Sequence, residues 1–156
     1  MKEKPQCDNH YLPKVAVIAD IIRETPNIWR FFLRYENTED ALAPEPEGEF
    51  YEITVFGVGE IAISIPEHRR PGEAFEFCIK RTGKVTGAMF DLPIGSRVGL
   101  RGPFGKGFPK EEFRGRDVLI VGSGVGLAPV RPMILEILEN RSSYGKLAII
   151  GSALRY

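Results

Sequence analysis

The 156-residue chain sets 21 lysines and arginines against 21 aspartates and glutamates, with 43% hydrophobic, 10% aromatic and 27% charged residues. This is globular composition, so disorder and collagen-like repeats are excluded, and a chain of this length buries about 68–70% of its unfolded surface, enough for one good core or two small ones. A formal net charge of zero removes the basic field that nucleic-acid and anionic-membrane binders carry, and no run approaches the roughly 18 apolar residues of a membrane span.

From Val15 to Glu76, short runs rich in Val, Ile and Phe recur about every ten residues between turn residues, the pattern of antiparallel barrels and sandwiches. The candidate strands are Val15–Arg23, Ile28–Tyr35, Phe50–Phe56, Glu60–Ile65, Ala74–Arg81 and Arg97–Arg101. Thr25-Pro26-Asn27, Pro44 to Gly48, Gly57 to Gly59, Arg70 to Gly72 and Pro93 to Ser96 punctuate them. The acidic run Glu36 to Glu52 reads as a solvated loop. Between the last two strands, Val85, Ala88, Met89 and Leu92 have helical spacing, so a short helix is expected there.

Beyond a Gly- and Pro-rich connector, Pro103 to Arg116, the pattern becomes strand, helix, strand: Val118–Val121, Pro129–Glu139 and Leu147–Ile150. A domain boundary near Lys110 is expected, with an all-β unit over residues 1–110 and the start of an α/β unit over 111–156. One βαβ unit cannot make a doubly wound sheet alone. The second domain therefore reads as incomplete, its sheet edge after Leu147 open to association, a second copy included.

Three stretches carry chemistry. Val118 to Pro129 (VLIVGSGVGLAP) runs from a buried strand through Gly122, Gly124 and Gly126 towards a helix, where backbone amides and partial positive charge suit a phosphate. Leu127 stands where a third dinucleotide-motif glycine would fall. Cys78 to Thr86 (CIKRTGKVT) passes from a strand through Gly83 into the short helix, with Lys80, Arg81 and Lys84 nearby. Gly99 to Pro109 fixes a rigid connector and does not match a P-loop, which makes kinase or GTPase chemistry unlikely. Two cysteines, Cys7 and Cys78, and two histidines, His10 and His68, are too few for a disulfide scaffold or a four-cysteine metal site, so no metal ligands are expected. Cys78, set among apolar residues, reads as core. The polar start Met1–Asn9 lacks a secretory apolar region, which makes the cytoplasm the expected location.

In this order, and with Gly57 to Ile65 (GVGEIAISI), these stretches resemble the ferredoxin-NADP reductase superfamily over nearly the whole chain. The resemblance is closest to the flavoprotein gamma subunits of cytoplasmic nickel-iron hydrogenases. The chain is also similar to a subunit of anaerobic sulfite reductase and to the electron-transfer subunit of dihydroorotate dehydrogenase. The resemblance implies a six-stranded antiparallel flavin-binding barrel with one short helix, followed by the start of an α/β dinucleotide-binding domain. The superfamily's Arg-x-Tyr-Ser motif falls on Ile61, Ala62, Ile63 and Ser64. By resemblance, Ser64 would sit at flavin N5 as the catalytic position, Ile63 would replace the tyrosine on the ring, and Ile61 the phosphate-pairing arginine. Lys80, Arg81 or Lys84 would then supply the missing charge.

Cys78, Ile79 and Lys80 would line the flavin through backbone, while Gly83, Lys84, Val85 and Thr86 would hold its pyrophosphate. Gly122, Gly124, Val125, Gly126, Leu127, Ala128 and Pro129 would form the nicotinamide site, and Arg155, just after the second parallel strand, reads as a surface residue. The implied cofactor is FAD, with FMN second, and NAD(P)H is the implied hydride donor. A [2Fe-2S] centre would belong to a further C-terminal part, since Cys7 and Cys78 cannot supply four thiolates. The implied partners are iron-sulfur subunits of a hydrogenase or reductase. The alternative is a non-catalytic barrel that binds flavin or a partner subunit without nicotinamide turnover. A third reading, an all-β interaction domain whose glycines are only turns, predicts no flavin.

Overall fold

Alternation of apolar and polar residues in the first hundred residues produces six strands and one helix in the computed structural model, which describes residues 11–37, 48–66 and 74–153. These are β1 (Lys14–Thr25), β2 (Ile28–Tyr35), β3 (Phe50–Val55), β4 (Gly59–Ser64), β5 (Phe75–Lys80), the helix α1 (Lys84–Asp91) and β6 (Arg97–Phe104). They form one antiparallel sheet in the order β4-β3-β6-β1-β2-β5. The β1–β2 hairpin turns at Thr25-Pro26-Asn27, where the Thr25 hydroxyl accepts the Ile28 amide at 2.9 Å, a side chain satisfying a turn donor. Period-two burial follows: Phe75, Phe77 and Ile79 of β5 are buried and Glu76, Cys78 and Lys80 alternate between them.

The inward residues pack with Met89 and Phe90 of α1 into the larger core. Trp29 stacks on Phe90 at 4.3 Å between centroids, fixing α1 over one end of the sheet. The outer strands β4 and β5 approach each other, yet no ladder joins them. Strand number and direction therefore match the expected barrel, but its closure does not. At this seam the start of α1 packs on β4: a Cβ placed on Gly59 would stand 3.0 Å from the Val85 side chain.

Past the connector come α2 (Lys110–Phe113), β7 (Val118–Ser123), α3 (Arg131–Glu139) and β8 (Leu147–Ser152). β7 and β8 pair in parallel from Val118↔Leu147 to Ser123↔Ser152. Ile120, Met133, Ile137 and Tyr144 form a second, smaller buried cluster, against which Phe108 and Phe113 pack. Helix α3 begins two residues later than expected. Gly124–Leu127 forms a 3-10 turn, closed onward by Ala128 N–H to Val125 C=O at 3.0 Å, and Pro129 falls between that turn and the helix, where its missing N–H leaves no helical hydrogen bond unmade.

Two further expectations are corrected. Within the acidic run, Glu49 is buried and Glu52 lies on β3, so the solvated-loop reading fails for those positions because the strand's pairing draws them in; residues 38–47 lie outside the described residues. Cys78 is half-buried on the outward face of β5, not core, because its neighbours Phe77 and Ile79 take the inward register. Cys7, His10, His68 and Arg155 also lie outside the described residues. Among the described residues no helix is long and apolar enough to cross a membrane, and no group of three His, Cys, Asp or Glu side chains is placed to hold a metal ion.

Candidate functional site

The open seam between β4 and β5 gathers most of the candidate residues. On β4, Ile61 and Ile63 are half-buried and pack against the larger core, Ala62 is exposed, and Ser64 is half-buried at the strand's end. Across the seam, Ile79 is fully buried, so only its backbone can face a ligand, whereas Cys78 and Lys80 project outwards. Burial first, then the charges of Glu76 and Glu24, push the Cys78 thiol up, which disfavours a reactive thiolate.

Helix α1 starts beside this seam. The Thr86 hydroxyl accepts the amides of Thr82 at 2.9 Å and Gly83 at 2.8 Å and donates to the Gly83 carbonyl at 3.1 Å. That commits all of its hydrogen-bonding capacity, so Thr86 shapes the turn rather than offering a hydroxyl to a ligand. The first amide bonded within the helix is Gly87 N–H to Gly83 C=O, 2.7 Å. The amides of Lys84, Val85 and Thr86 are thus the open donors of a helix N-terminus, with no acidic residue in the first turn to fill them. Space above Gly83 is clear, since a Cβ built there meets nothing within 4 Å.

The three cations differ. Arg81 reaches Asp91 at 3.6 Å and lies 5.9 Å from the Phe90 ring centroid, along the helix and away from its start. Lys84 sits at the first helical position and Lys80 at the end of β5, both without an ion pair among the described residues.

The glycine-rich turn of the second unit divides by role. Gly124 and Gly126 face open space, and their 3-10 turn lies near β5, which brings Gly124, Val125, Gly126 and Leu127 to the seam. Gly122 does something else. A Cβ there would stand 2.5 Å from the Leu127 side chain, so this glycine makes room for Leu127. Ala128 and Pro129 follow in the turn before α3, and Arg131 Nη1 donates to the Pro66 carbonyl at 3.5 Å, tying the helix start to the chain beyond β4.

These donors fit a phosphate-bearing flavin. Three open amides, a bare glycine and Lys84 suit a pyrophosphate, and the apolar β4 flank suits an aromatic ring. Sequence reasoning missed Glu49, whose buried Oε2 has no hydrogen-bond partner among the described residues. It also missed the brace outside the sheet, where Arg101 grips Glu60 through two hydrogen bonds of 2.8 and 2.6 Å. That grip, ahead of other influences, holds the Glu60 carboxyl below the usual carboxylate range.

No family model matches the chain. It is 36% identical over 149 residues to the sulfhydrogenase 1 gamma subunit of Pyrococcus furiosus, covering 94% of this chain and 50% of that protein. It is 34% identical over 121 residues to a probable dihydroorotate dehydrogenase B (NAD(+)) electron-transfer subunit of Methanocella arvoryzae, covering 78% and 42%. The chain thus spans about half the length of the relatives it matches. Among solved structures, an NADH-dependent reduced ferredoxin-NADP oxidoreductase described for flavin-based electron bifurcation superposes with a TM-score of 0.74 at 19% identity, covering 90% of this chain and 49% of that one. A mutant of the Plasmodium falciparum ferredoxin-NADP+ reductase gives 0.74 at 18%, covering 92% and 60%. Sequence kinship and shared fold agree: over the half-length that it spans, the chain is a relative of hydrogenase gamma and dihydroorotate dehydrogenase electron-transfer subunits, and it has the fold of the ferredoxin-NADP reductases.

Proposed function

We propose that this chain is the flavin-binding portion of an electron-transfer oxidoreductase of the hydrogenase gamma-subunit type. The observation that carries the reading is the set of open amides at Lys84, Val85 and Thr86 beside the unpaired β4–β5 seam. In this reading the amides and Gly83 hold a pyrophosphate, and Lys84, with Lys80, supplies the charge that Ile61 lacks. Thr86 keeps the turn in shape. Ile61 and Ile63 flank the ring, Ala62 leaves the outer side clear, and the Ser64 hydroxyl stands at the reactive edge. Cys78, Ile79 and Lys80 bound the other side of the seam through β5.

FAD is the favoured flavin and FMN the second. Bound there, a flavin supplies hydride acceptance from NAD(P)H and release of single electrons to an iron-sulfur partner. The turn from Gly124 to Pro129 faces the nicotinamide in this reading, while Gly122 serves packing. Residues 1–110 act as the flavin unit and 111–156 as the opening of the dinucleotide unit. A [2Fe-2S] centre finds no four-cysteine set in this sequence, so it belongs to other parts of the protein or its partners. Location in the cytoplasm and docking on an iron-sulfur partner of the hydrogenase or reductase kind are part of the same proposal.

The test is the visible spectrum of the purified chain with FAD and with FMN, then anaerobic addition of NADH or NADPH. Stoichiometric flavin that bleaches with nucleotide supports the reading. Flavin that ignores both nucleotides supports instead a binding barrel without nicotinamide turnover, the alternative favoured by the small size of the second buried cluster. A chain that stays colourless overturns the flavin site.

A further inference from the structure

Glu49 lies at the junction of the two buried clusters, and only 8% of the residue is exposed. Its carbonyl accepts the Ile65 amide at 3.1 Å, which fixes its backbone to the chain just past β4. Gly48, before it, has φ +80° and lies under the Phe108 ring, where a Cβ would stand 2.5 Å from a ring carbon. On its other side is Gly105, φ +109°, whose Cβ position is 3.8 Å from Glu49 Cγ. Phe108 in turn packs on the second cluster. One carboxyl oxygen, Oε2, is therefore buried between the start of β3 and the connector Phe104–Phe108, with no hydrogen-bond partner among the described residues.

A buried carboxylate without a counter-charge or donors is strongly disfavoured, so it takes up a proton or draws in water. Among the described residues, the titratable side chains on the elements around it are Tyr51 and Glu52 of β3, Arg101 of β6, Lys106 of the connector and Arg131, which donates to the carbonyl of Pro66 beside Ile65. Burial is the sole influence on its carboxyl, which it pushes up.

We infer that Glu49 is a protonation-controlled latch: neutral Glu49 lets the Gly105–Phe108 connector close over the end of the sheet, and ionised Glu49 opens that contact to water. Opening releases one proton from the Glu49 carboxyl to solvent, and closing takes one up. The closed form's affinity for this proton exceeds that of the open form. Its advantage is complete below the ordinary glutamate range and is lost as pH rises through the midpoint of closed-state Glu49.

The experiment is hydrogen exchange by mass spectrometry on the full chain between about pH 5 and 9, corrected for intrinsic base catalysis, in wild type and in Glu49→Gln. Protection of peptides covering 48–66 and 103–113 is expected to fall by up to about tenfold per pH unit between the ordinary glutamate range and the closed-state midpoint in wild type, and to level off above it. Peptides from β1 and β2 should not share this slope. Glu49→Gln, which cannot ionise, should be flat throughout. Carbon-13 NMR of the wild-type Glu49 carboxyl supplies a second readout that needs no variant, and its midpoint is expected above the ordinary glutamate range. A wild-type slope retained in Glu49→Gln, or a Glu49 carboxyl that titrates within the ordinary glutamate range, overturns the inference.

Discussion

Among the described residues, sixteen buried apolar side chains fill the space between the six-stranded sheet and α1, whereas four fill the space between the β7–β8 pair and α3. In the first region apolar side chains point inwards from all but one strand, and half-buried Ile61 and Ile63 of β4 join them. In the second, Leu119, Val121 and Ile150 stand 60%, 64% and 57% exposed on one face of a parallel pair, and parallel sheets are ordinarily covered on both faces. The seam site is thus built on the self-sufficient region, while the glycine turn is carried by one with little burial of its own.

The largest expected effect tests that asymmetry. Phe77→Ala in the sheet core should cost about 3–5 kcal/mol and lower the main denaturant midpoint. Ile137→Ala in the second cluster should leave that midpoint nearly in place and instead speed amide exchange in β7 and α3. A single transition that moves equally for both would erase the contrast, because the two clusters would then unfold as one.

Gly145→Ala probes it from the other side. Its Cβ would stand 2.7 Å from the Arg116 carbonyl carbon and oxygen, so about 1–3 kcal/mol of strain is expected, read as local exchange around β8 rather than loss of the sheet. At the site itself, Thr86→Val leaves the Thr82 and Gly83 amides without their acceptor. A loss of about 1 kcal/mol by denaturation of the flavin-free chain is expected, together with weaker flavin binding by fluorescence titration. Unchanged stability would place the hydroxyl on the ligand instead.

Smaller still is the Glu60–Arg101 brace. Since the folded carboxyl is held below its unfolded value, this contribution is full above the ordinary glutamate range and is lost as pH falls through the lowered folded-state value. Arg101→Met should remove that acid dependence from the stability profile, at no more than about 1 kcal/mol near neutral pH. Leu119→Ser should change stability by less than about 0.5 kcal/mol, because the side chain it removes is already in water; a clear loss would mean that the face is covered in solution.

Much of this was legible in the chain, for physical reasons. A two-residue period specifies strands, so β2 was read to its observed ends, and Val85, Ala88, Met89 and Leu92 placed α1 within a residue. Registers were harder to read. Cys78 sits among apolar residues in sequence, but which face it takes depends on Phe77 pairing with Phe31. Likewise, nothing local marks Glu49 as buried; Gly105 and the Phe108 ring, which close over this segment, come 56 and 59 positions later. At the site, Gly83 and the α1 start were legible from spacing, whereas the commitment of Thr86 to its own turn required coordinates. That Gly122 makes room for Leu127 was not legible, because a glycine that admits a ligand and one that admits a side chain look alike in sequence.

That last glycine has an evolutionary consequence. Gly122 and Gly151 are partners in the parallel ladder, and Leu127 lies over both, 2.5 Å from a Cβ built on the first and 3.5 Å from one on the second. The three positions form an epistatic set. An alanine at 122 is accommodated best once residue 127 has shrunk or its side chain has turned aside, so the order in which substitutions arrive weights which descendants of this sequence are reachable.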